Sequence, residues 1–339
     1  MPKPVPRRCL RRPGCSDVEI VAVDIGGTHA RFALADVADG RVQALRHPMT
    51  MRTAEHASLQ TAWEAFGALL GRPLPPAAGI AVAGPVVGAL LRLTNNPWVI
   101  RPAMIPEKLG AETYTLVNDF AAVAHAVAQL PSGALSHLCG PDVPLPDDGM
   151  ISVIGPGTGL GVAGLLRRGG RYHVIATEGG HIDFAPVDAL EDAILAQLRR
   201  RYRRVSVERI ASGPGLANIL DALGTIEGRP VMTGNDKALW TTALSGGDSL
   251  VAAALDRFCL SLGSIAGDIA LAQGASAVVI AGGLGLRLAA HLPKSGFSQR
   301  FVAKGRFESM MAGLPVKLIT HPEPGLYGAA AAFAQEHCG

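Results

Sequence analysis

Residues 151–161 read ISVIGPGTGLG, a short β-branched apolar run that passes directly into four glycines. A buried strand must therefore end in a turn that carries very little side chain. The amides of that turn are left bare. Together with the Thr158 hydroxyl they suit an anionic group that accepts several hydrogen bonds, and phosphate is the commonest such group. A tight hairpin needing positive φ accounts for the same stretch equally well. The balance shifts with a second stretch near the N-terminus, Val23-Asp24-Ile25-Gly26-Gly27-Thr28, where a strand again enters a Gly-Gly-Thr turn. Two such turns suggest a phosphate held between two halves.

A chain of 339 residues is long enough for two domains with separate cores. Its plentiful Gly and scarce aromatic residues suit an α/β protein with many close helix-to-strand turns. The net charge of +3 is too small to indicate a nucleic-acid or membrane-surface partner. The cysteines, Cys9, Cys15, Cys139, Cys259 and Cys338, are odd in number and scattered, which argues against a zinc site or a disulfide framework. No apolar run reaches the roughly 20 residues that span a bilayer. Residues 1–17 are basic and broken by proline, without the apolar segment of a secretory signal, and read as a disordered tail or an over-long start, with a transit segment as the lesser alternative. A cytoplasmic protein is expected.

Along the chain, strands are expected at Glu19–Val23, Arg31–Asp36, Ala78–Ala83, Ala89–Leu93 and Tyr114–Val117, with helices at Leu59–Leu70 and Phe120–Leu130. Pro131–Asp148 reads as a connection with little regular structure. The strand Ile151–Ile154 opens a second series of strand, glycine turn, strand, turn and strand (Leu160–Leu166, Tyr172–Ala176). This matches the opening of the first series and is a weak internal repeat. Helices follow around Leu190–Tyr202, Leu216–Leu223 and Leu250–Ile269. A strand at Ala277–Ala281 ends in Gly282-Gly283, and Val316–Thr320 precedes an Ala-rich helix, Gly325–Gln335.

Several residues could carry chemistry. Asp24 stands beside a phosphate-type turn, where a magnesium shell needs a carboxylate, with turn capping as the alternative. Asn118-Asp119 falls where a strand gives way to a helix, the place where α/β proteins hold ligands. A carboxylate there could take a proton from an attacking hydroxyl while the neighbouring amide orients it; helix capping is the competing role. Glu178 and His181, three apart in a glycine-flexed loop, could hydrogen-bond a polyol. No third metal ligand follows them at suitable spacing. Glu208 by itself would pass for a surface residue. His125 reads as structural, and the arginine-rich segment Arg199–Arg204 is either an anion patch or a solvated helix end.

In order along the chain, DIGGTHARFAL, TNNPW, LVNDFAAVAHA, GPGTGLGVAGL, EGGHIDFAP, SVERIASGPGL, AGGL, SGFSQRFVAKGRF and PGLYGAA resemble the bacterial ATP-dependent glucokinase family, within the hexokinase, Hsp70 and actin-like superfamily. The likeness runs from about Ile20 to Gly328. It implies an actin-like (ribonuclease H-like) fold of two α/β domains with the active cleft between them: a small domain of 18–129 plus 321–339 and a large one of 130–320. It also implies transfer of the γ-phosphoryl group of MgATP to the 6-hydroxyl of glucose, the first step of glycolysis, in a homodimer. By the same likeness Asn118, Asp119, Glu178, His181 and Glu208 meet the sugar, with Asp119 as the base. Asp24, Gly26, Gly27, Thr28, Gly157, Thr158 and Gly159 meet the phosphates, Asp24 reaching magnesium through water, and Gly282 and Gly283 lie near the adenosine. The family usually has Asn where this chain has His29, and the basic tail and arginine segment have no clear counterpart. A sugar-sensing regulator, a kinase for another hexose and a chaperone-like or cytoskeletal ATPase are the rival readings on this fold. The regulators that bind DNA carry an N-terminal helix-turn-helix and commonly a Cys-rich zinc motif, neither of which is found here.

Overall fold

The computed structural model describes residues 17–93, 96–229, 231 and 236–339. The expected basic tail lies outside them, apart from Asp17. The chain divides into two units. Unit 1 takes the described residues up to Ala122 together with Gly325–Gly339, and unit 2 takes Val123–Pro324.

Unit 1 is built on strands β1 (Val18–Ile25), β2 (His29–Ala38), β3 (Arg41–Arg52) and β4 (Ala77–Val82), the short pair β5 (Leu91–Arg92) and β6 (Val99–Ile100), and β7 (Thr113–Asn118). Its helices are α1 (Leu59–Leu70), α2 (Ile105–Leu109) and the start of α3 (Asp119–Gln129). The main sheet has the order β3-β2-β1-β4-β7. Strands β1, β4 and β7 are parallel, while β2 and β3 run antiparallel beside them. Period-two alternation sends Val21, Val23 and Ile25 of β1 into one core with Trp63 and Phe66 of α1. It sends Ile20 and Ala22 into another with Leu326, Ala330 and Phe333. Both faces are covered, so the centre of β1, Ile20–Val23, reads as a continuous apolar run.

The edge strand β3 has no counterpart in the sequence reading. Its sequence, RVQALRHPMTMR, is polar, holds Pro48, and has a break in register between Phe32 and Leu34 of its neighbour. Proline is tolerated there because an edge strand need not donate every amide.

Unit 2 continues with β8 (Leu135–Cys139), β9 (Gly149–Pro156), β10 (Leu160–Arg168), β11 (Arg171–Thr177), α4 (Ala189–Arg199), α5 (Gly213–Ile226), α6 (Asp236–Ser245), α7 (Ser249–Gln273), β12 (Ala275–Ile280), α8 (Gly282–Arg287), α9 (Phe297–Val302), α10 (Glu308–Ala312) and β13 (Val316–Ile319). Its sheet has the order β11-β10-β9-β12-β13-β8. The first five strands repeat the topology of unit 1, with β9, β12 and β13 parallel and the β9–β10–β11 meander antiparallel. The internal repeat is thus a repeat of sheet topology. Strand β8 corrects the expectation of an irregular 131–148: it pairs antiparallel with β13 at the sheet edge, where a short partly exposed strand gives little alternation.

Helix α7 is the long core helix expected over Leu250–Ile269. Among the described residues it is the one helix long and apolar enough to cross a bilayer, but most of its apolar stretch is buried in unit 2. Asp256, Arg257 and Asp268 interrupt its apolar sequence.

The last helix, α11 (Pro324–His337), returns to unit 1. A Cβ on Gly328 would come within 1.7 Å of the Ala122 carbonyl oxygen, and one on Gly79 of β4 within 2.2 Å of the Ala329 oxygen. Only glycine permits backbones to approach so closely.

Unit 2 also encloses a charged cluster that the sequence reading did not single out. Asp188 caps α4 by accepting the Glu191 amide at 2.9 Å. Its Oδ2 receives Arg257 at 2.5 Å and also Arg300. Glu191, 1% exposed, accepts from the Ser261 hydroxyl at 3.1 Å and from the Val187 amide at 2.9 Å. Burial alone would raise the Asp188 carboxyl, but the capping amide and the two guanidiniums outweigh it and hold it at about 2 against an ordinary 3.8.

A depressed carboxyl contributes stability that is present above its unfolded value and is lost as pH falls through the folded one. Asp188→Asn, which keeps a capping side chain, should lower the unfolding free energy at pH 7 by roughly 1–2 kcal/mol after solvent screening. Denaturant titrations between about pH 4 and 2 should show a flatter loss of stability in the variant than in the wild type. Parallel curves would mean that the carboxylate is not held by its arginines.

Candidate functional site

Unit 1 presents the first glycine turn between β1 and β2. Its carbonyls are engaged by other segments: Gly26 O accepts Asn96 Nδ2 at 2.9 Å, Gly27 O accepts the Thr53 hydroxyl at 3.1 Å, and Thr28 O accepts the Thr53 amide at 3.0 Å. Asn96 is itself fixed by the Trp98 amide, 2.9 Å from its Oδ1. Among the described residues the amides of Gly27 and Thr28 have no protein acceptor. The turn is thus held by its acceptors, leaving donors for a ligand. Thr53 and Asn96 are the residues that sequence reasoning missed. Asn96 lies within the quoted TNNPW stretch, whereas Thr53 follows the unrecognised edge strand.

Asp24 and Arg31 face each other across the β1–β2 pair and form an ion pair at 3.1 Å. Burial pushes the Asp24 carboxyl above its ordinary value, and Arg31 pulls it back. The carboxylate also lies against the first turn of α11, where a Cβ on Gly325 would be 2.4 Å from its Oδ2. The positive end of a helix dipole favours a negative charge there.

At the β7–α3 junction the capping is done by Asn118. Its Oδ1 accepts the Phe120 and Ala121 amides at 2.9 and 3.0 Å, and its Nδ2 donates to Gly84 O at 3.2 Å. Asp119 Oδ1 also accepts the Phe120 amide, at 2.9 Å, which orients the carboxylate at the helix N-terminus.

Unit 2 gathers its part around the start of β10. The turn after β9 is closed by Gly157 N donating to Gly159 O at 2.8 Å. Gly157 O in turn accepts the Gly213 amide, at the start of α5, at 2.7 Å. Gly282 lies beside the turn at φ +78°, where a Cβ would be 2.5 Å from Pro156 O. The turns at 157–159 and 282–283 are therefore neighbours.

None of Gly26, Gly27, Gly157, Gly159 or Gly283 adopts the left-handed region. A Cβ on Gly157 or Gly283 would meet nothing within 4 Å. Neither conformation nor packing within the described protein requires glycine at these two positions, so the tight-hairpin explanation does not account for Gly157. An approaching ligand would.

The loop bearing Glu178 and His181 packs on the same strand. A Cβ on Gly180 would be 2.0 Å from Leu160 O. His181 Nε2 is 3.9 Å from Glu178 Oε2, and the two side chains are 58% and 61% exposed. Residues 182–184 pair with 205–207 through Val207 N to Ile182 O at 2.9 Å and Phe184 N to Val205 O at 3.0 Å. Arg204 closes the pairing on Asp183 at 2.5 Å. That pairing brings Glu208 to the turn, with Oε2 3.0 Å from the Leu160 amide. Unit 2 thus places Glu178, His181, Glu208, Gly157–Gly159 and Gly282-Gly283 in one neighbourhood.

Within the arginine segment Arg201 is paired with Asp221 at 3.1 Å and Arg204 with Asp183, and beyond it Arg209 stacks on Tyr202 at 4.3 Å, so these contacts serve local structure. His125 packs edge-on against Tyr172, and burial lowers it to about 4. Among the described residues no group of three His, Cys, Asp or Glu could form a metal cage.

This geometry has relatives. The family model described as Glucokinase matches residues 21–336. The chain is similar to the glucokinase of Zymomonas mobilis, with 67% identity over 320 residues that cover 94% of this chain and 99% of that one. Among solved structures it is similar to a glucokinase from an Antarctic psychrotroph, with TM-score 0.80, 34% identity, and 92% and 98% of the two chains covered. The fold is shared with a ROK family glucokinase from Streptomyces griseus, solved in complex with glucose and AMPPNP, with TM-score 0.57, 20% identity, and 92% and 98% covered. A family match over nearly the whole chain, joined to 67% identity with a named member, shows that the chain belongs to the glucokinase family.

Proposed function

We propose that this protein is an ATP-dependent glucokinase that transfers the γ-phosphoryl group of MgATP to the 6-hydroxyl of glucose. The observation that carries the reading is the open main chain at Gly157 and Gly283, set beside the hydroxyl-binding set Glu178, His181 and Glu208. It is a phosphate cradle next to polyol ligands. Each of the two units, read as an actin-like domain, supplies one glycine turn.

Asp119 accepts the proton of the attacking hydroxyl. The amide on its Oδ1 fixes the carboxylate at the helix N-terminus, where the dipole favours negative charge. Asn118 retains a second Nδ2 proton for a sugar hydroxyl after donating to Gly84. Glu178, His181 and Glu208 hold the ring, and a sugar lacking a partner hydroxyl would leave one of them unsatisfied. The amides of Gly27 and Thr28, with Gly157, Thr158 and Gly159, receive the phosphates, and Gly282-Gly283 borders the adenosine. Because phosphoryl transfer passes through a loose transition state, alignment and charge stabilisation make up most of the protein's contribution.

Magnesium suits this donor set. A single partly buried carboxylate, Asp24, with no cage of three ligands among the described residues, matches an ion held mainly by water and nucleotide phosphates. When bound, the ion neutralises charge on the phosphates. A cytoplasmic homodimer completes the proposal. Cys139 and Cys259 are buried free thiols that burial pushes up to about 11 and about 12, unreactive groups suited to a reducing compartment.

Incubating the protein with MgATP and a panel of glucose, mannose, fructose and glucosamine should give glucose 6-phosphate fastest. A different preferred hexose would reassign the ring contacts. Asp119→Asn should lower kcat by on the order of 10² to 10⁴ with glucose still bound, and near-normal turnover would remove Asp119 as the base. His181→Ala should raise the glucose KM with little change in thermal stability, because the side chain is largely exposed. Asn118→Ala should, besides weakening the sugar, cost about 1 kcal/mol in unfolding free energy through its lost helix cap.

A further inference from the structure

The carboxylate of Glu208 makes a contact that sugar binding does not explain. Its Oε2 accepts the amide of Leu160, the residue that directly follows the Gly157–Gly159 turn. A Cβ on Gly159 would lie 2.4 Å from the same oxygen and 3.1 Å from the carboxyl carbon. Glu208 is presented from a single helical turn, Val207–Arg209, whose Val207 amide is fixed to Ile182 O at 2.9 Å. The Val207 carbonyl in turn accepts the Ala211 amide at 2.8 Å. The base of the side chain is therefore held, and its tip reaches the end of the turn. A carboxylate has two oxygens and about four acceptor positions, so engaging Oε2 on the backbone leaves Oε1 for a hydroxyl.

We propose that Glu208 is a positioning residue for the phosphate turn as well as a sugar ligand, and that residue 159 is glycine because a side chain there would displace this carboxylate. One residue then links the two subsites. Drawing Oε1 toward a sugar hydroxyl and Oε2 toward Leu160 orients the carboxylate and steadies the exit of the turn, so nucleotide affinity depends on a residue that touches no nucleotide. What binds in each subsite rests on the glucokinase reading.

The test separates the two roles by measuring nucleotide binding without sugar. Wild type, Glu208→Ala, Glu208→Gln and Gly159→Ala are titrated calorimetrically with Mg-ADP, and glucose KM and kcat are then measured at saturating ATP. Glu208→Ala should bind ADP roughly 5- to 30-fold more weakly, since a backbone amide loses a charged acceptor. Glu208→Gln should stay within about threefold of wild type, because its amide oxygen still accepts the Leu160 proton. Gly159→Ala should raise the glucose KM although the residue lies in the phosphate turn.

Wild-type ADP affinity in Glu208→Ala, with a raised glucose KM, would confine Glu208 to the sugar and overturn the proposal. So would equal weakening in the Ala and Gln variants, or a glucose KM unmoved by Gly159→Ala. These outcomes are read against a wild type that makes glucose 6-phosphate. A wild type that binds ADP but phosphorylates no hexose would instead overturn the functional reading.

Discussion

Parallel pairing is the constraint on which the rest of this structure depends. In unit 1, β1, β4 and β7 run in one direction, so the residues at their carboxyl ends share one edge of the sheet. Those residues include Asp24, the Gly26–Thr28 turn, and Asn118 with Asp119. In unit 2, β9, β12 and β13 do the same and bring Gly157 and Gly282 to a common edge. Positions more than 120 residues apart in sequence become neighbours because strand direction leaves no other place for them. The antiparallel hairpins β1–β2 and β9–β10 add a second effect. Each turns back at that edge, and so exposes main chain where the parallel strands end.

Much of this was legible in the sequence, for physical reasons that can be named. The centres of strands β1, β4, β9 and β12 are buried and read as short, largely apolar runs. Helices α1 and α5 carry apolar residues at helical spacing and begin at a serine. The edge strands β3 and β8 were not legible, because a strand half in solvent has no need of alternating apolar residues. Thr53 and Asn96 were missed for a related reason: each acts through backbone carbonyls of a distant turn, which leaves no local pattern. The Asp188, Glu191, Arg257 and Arg300 cluster is invisible for a similar cause, since its two acids stand at the start of α4 and its arginines come from α7 and α9.

The glycines illustrate a different limit. Sequence alone gives two reasons for a glycine, a left-handed backbone or a close approach, and cannot choose between them. Coordinates can. Gly282 has both reasons, Gly159 the second, and Gly157 neither among the protein's described atoms. Asn118 shows a similar division of labour, because a residue expected at a ligand also supplies the helix cap that holds the next residue in place.

Helix α11 joins unit 1 only after the whole of unit 2 has been read through, yet its first turn lies against Asp24 and its apolar side covers one face of β1. During synthesis the sheet of unit 1 is therefore exposed on that face until the final helix emerges. The opening strands must wait, unfinished, while some 200 intervening residues are added. The order of translation and the order of assembly are consequently opposed in this chain: the first strand to be made is among the last to be covered.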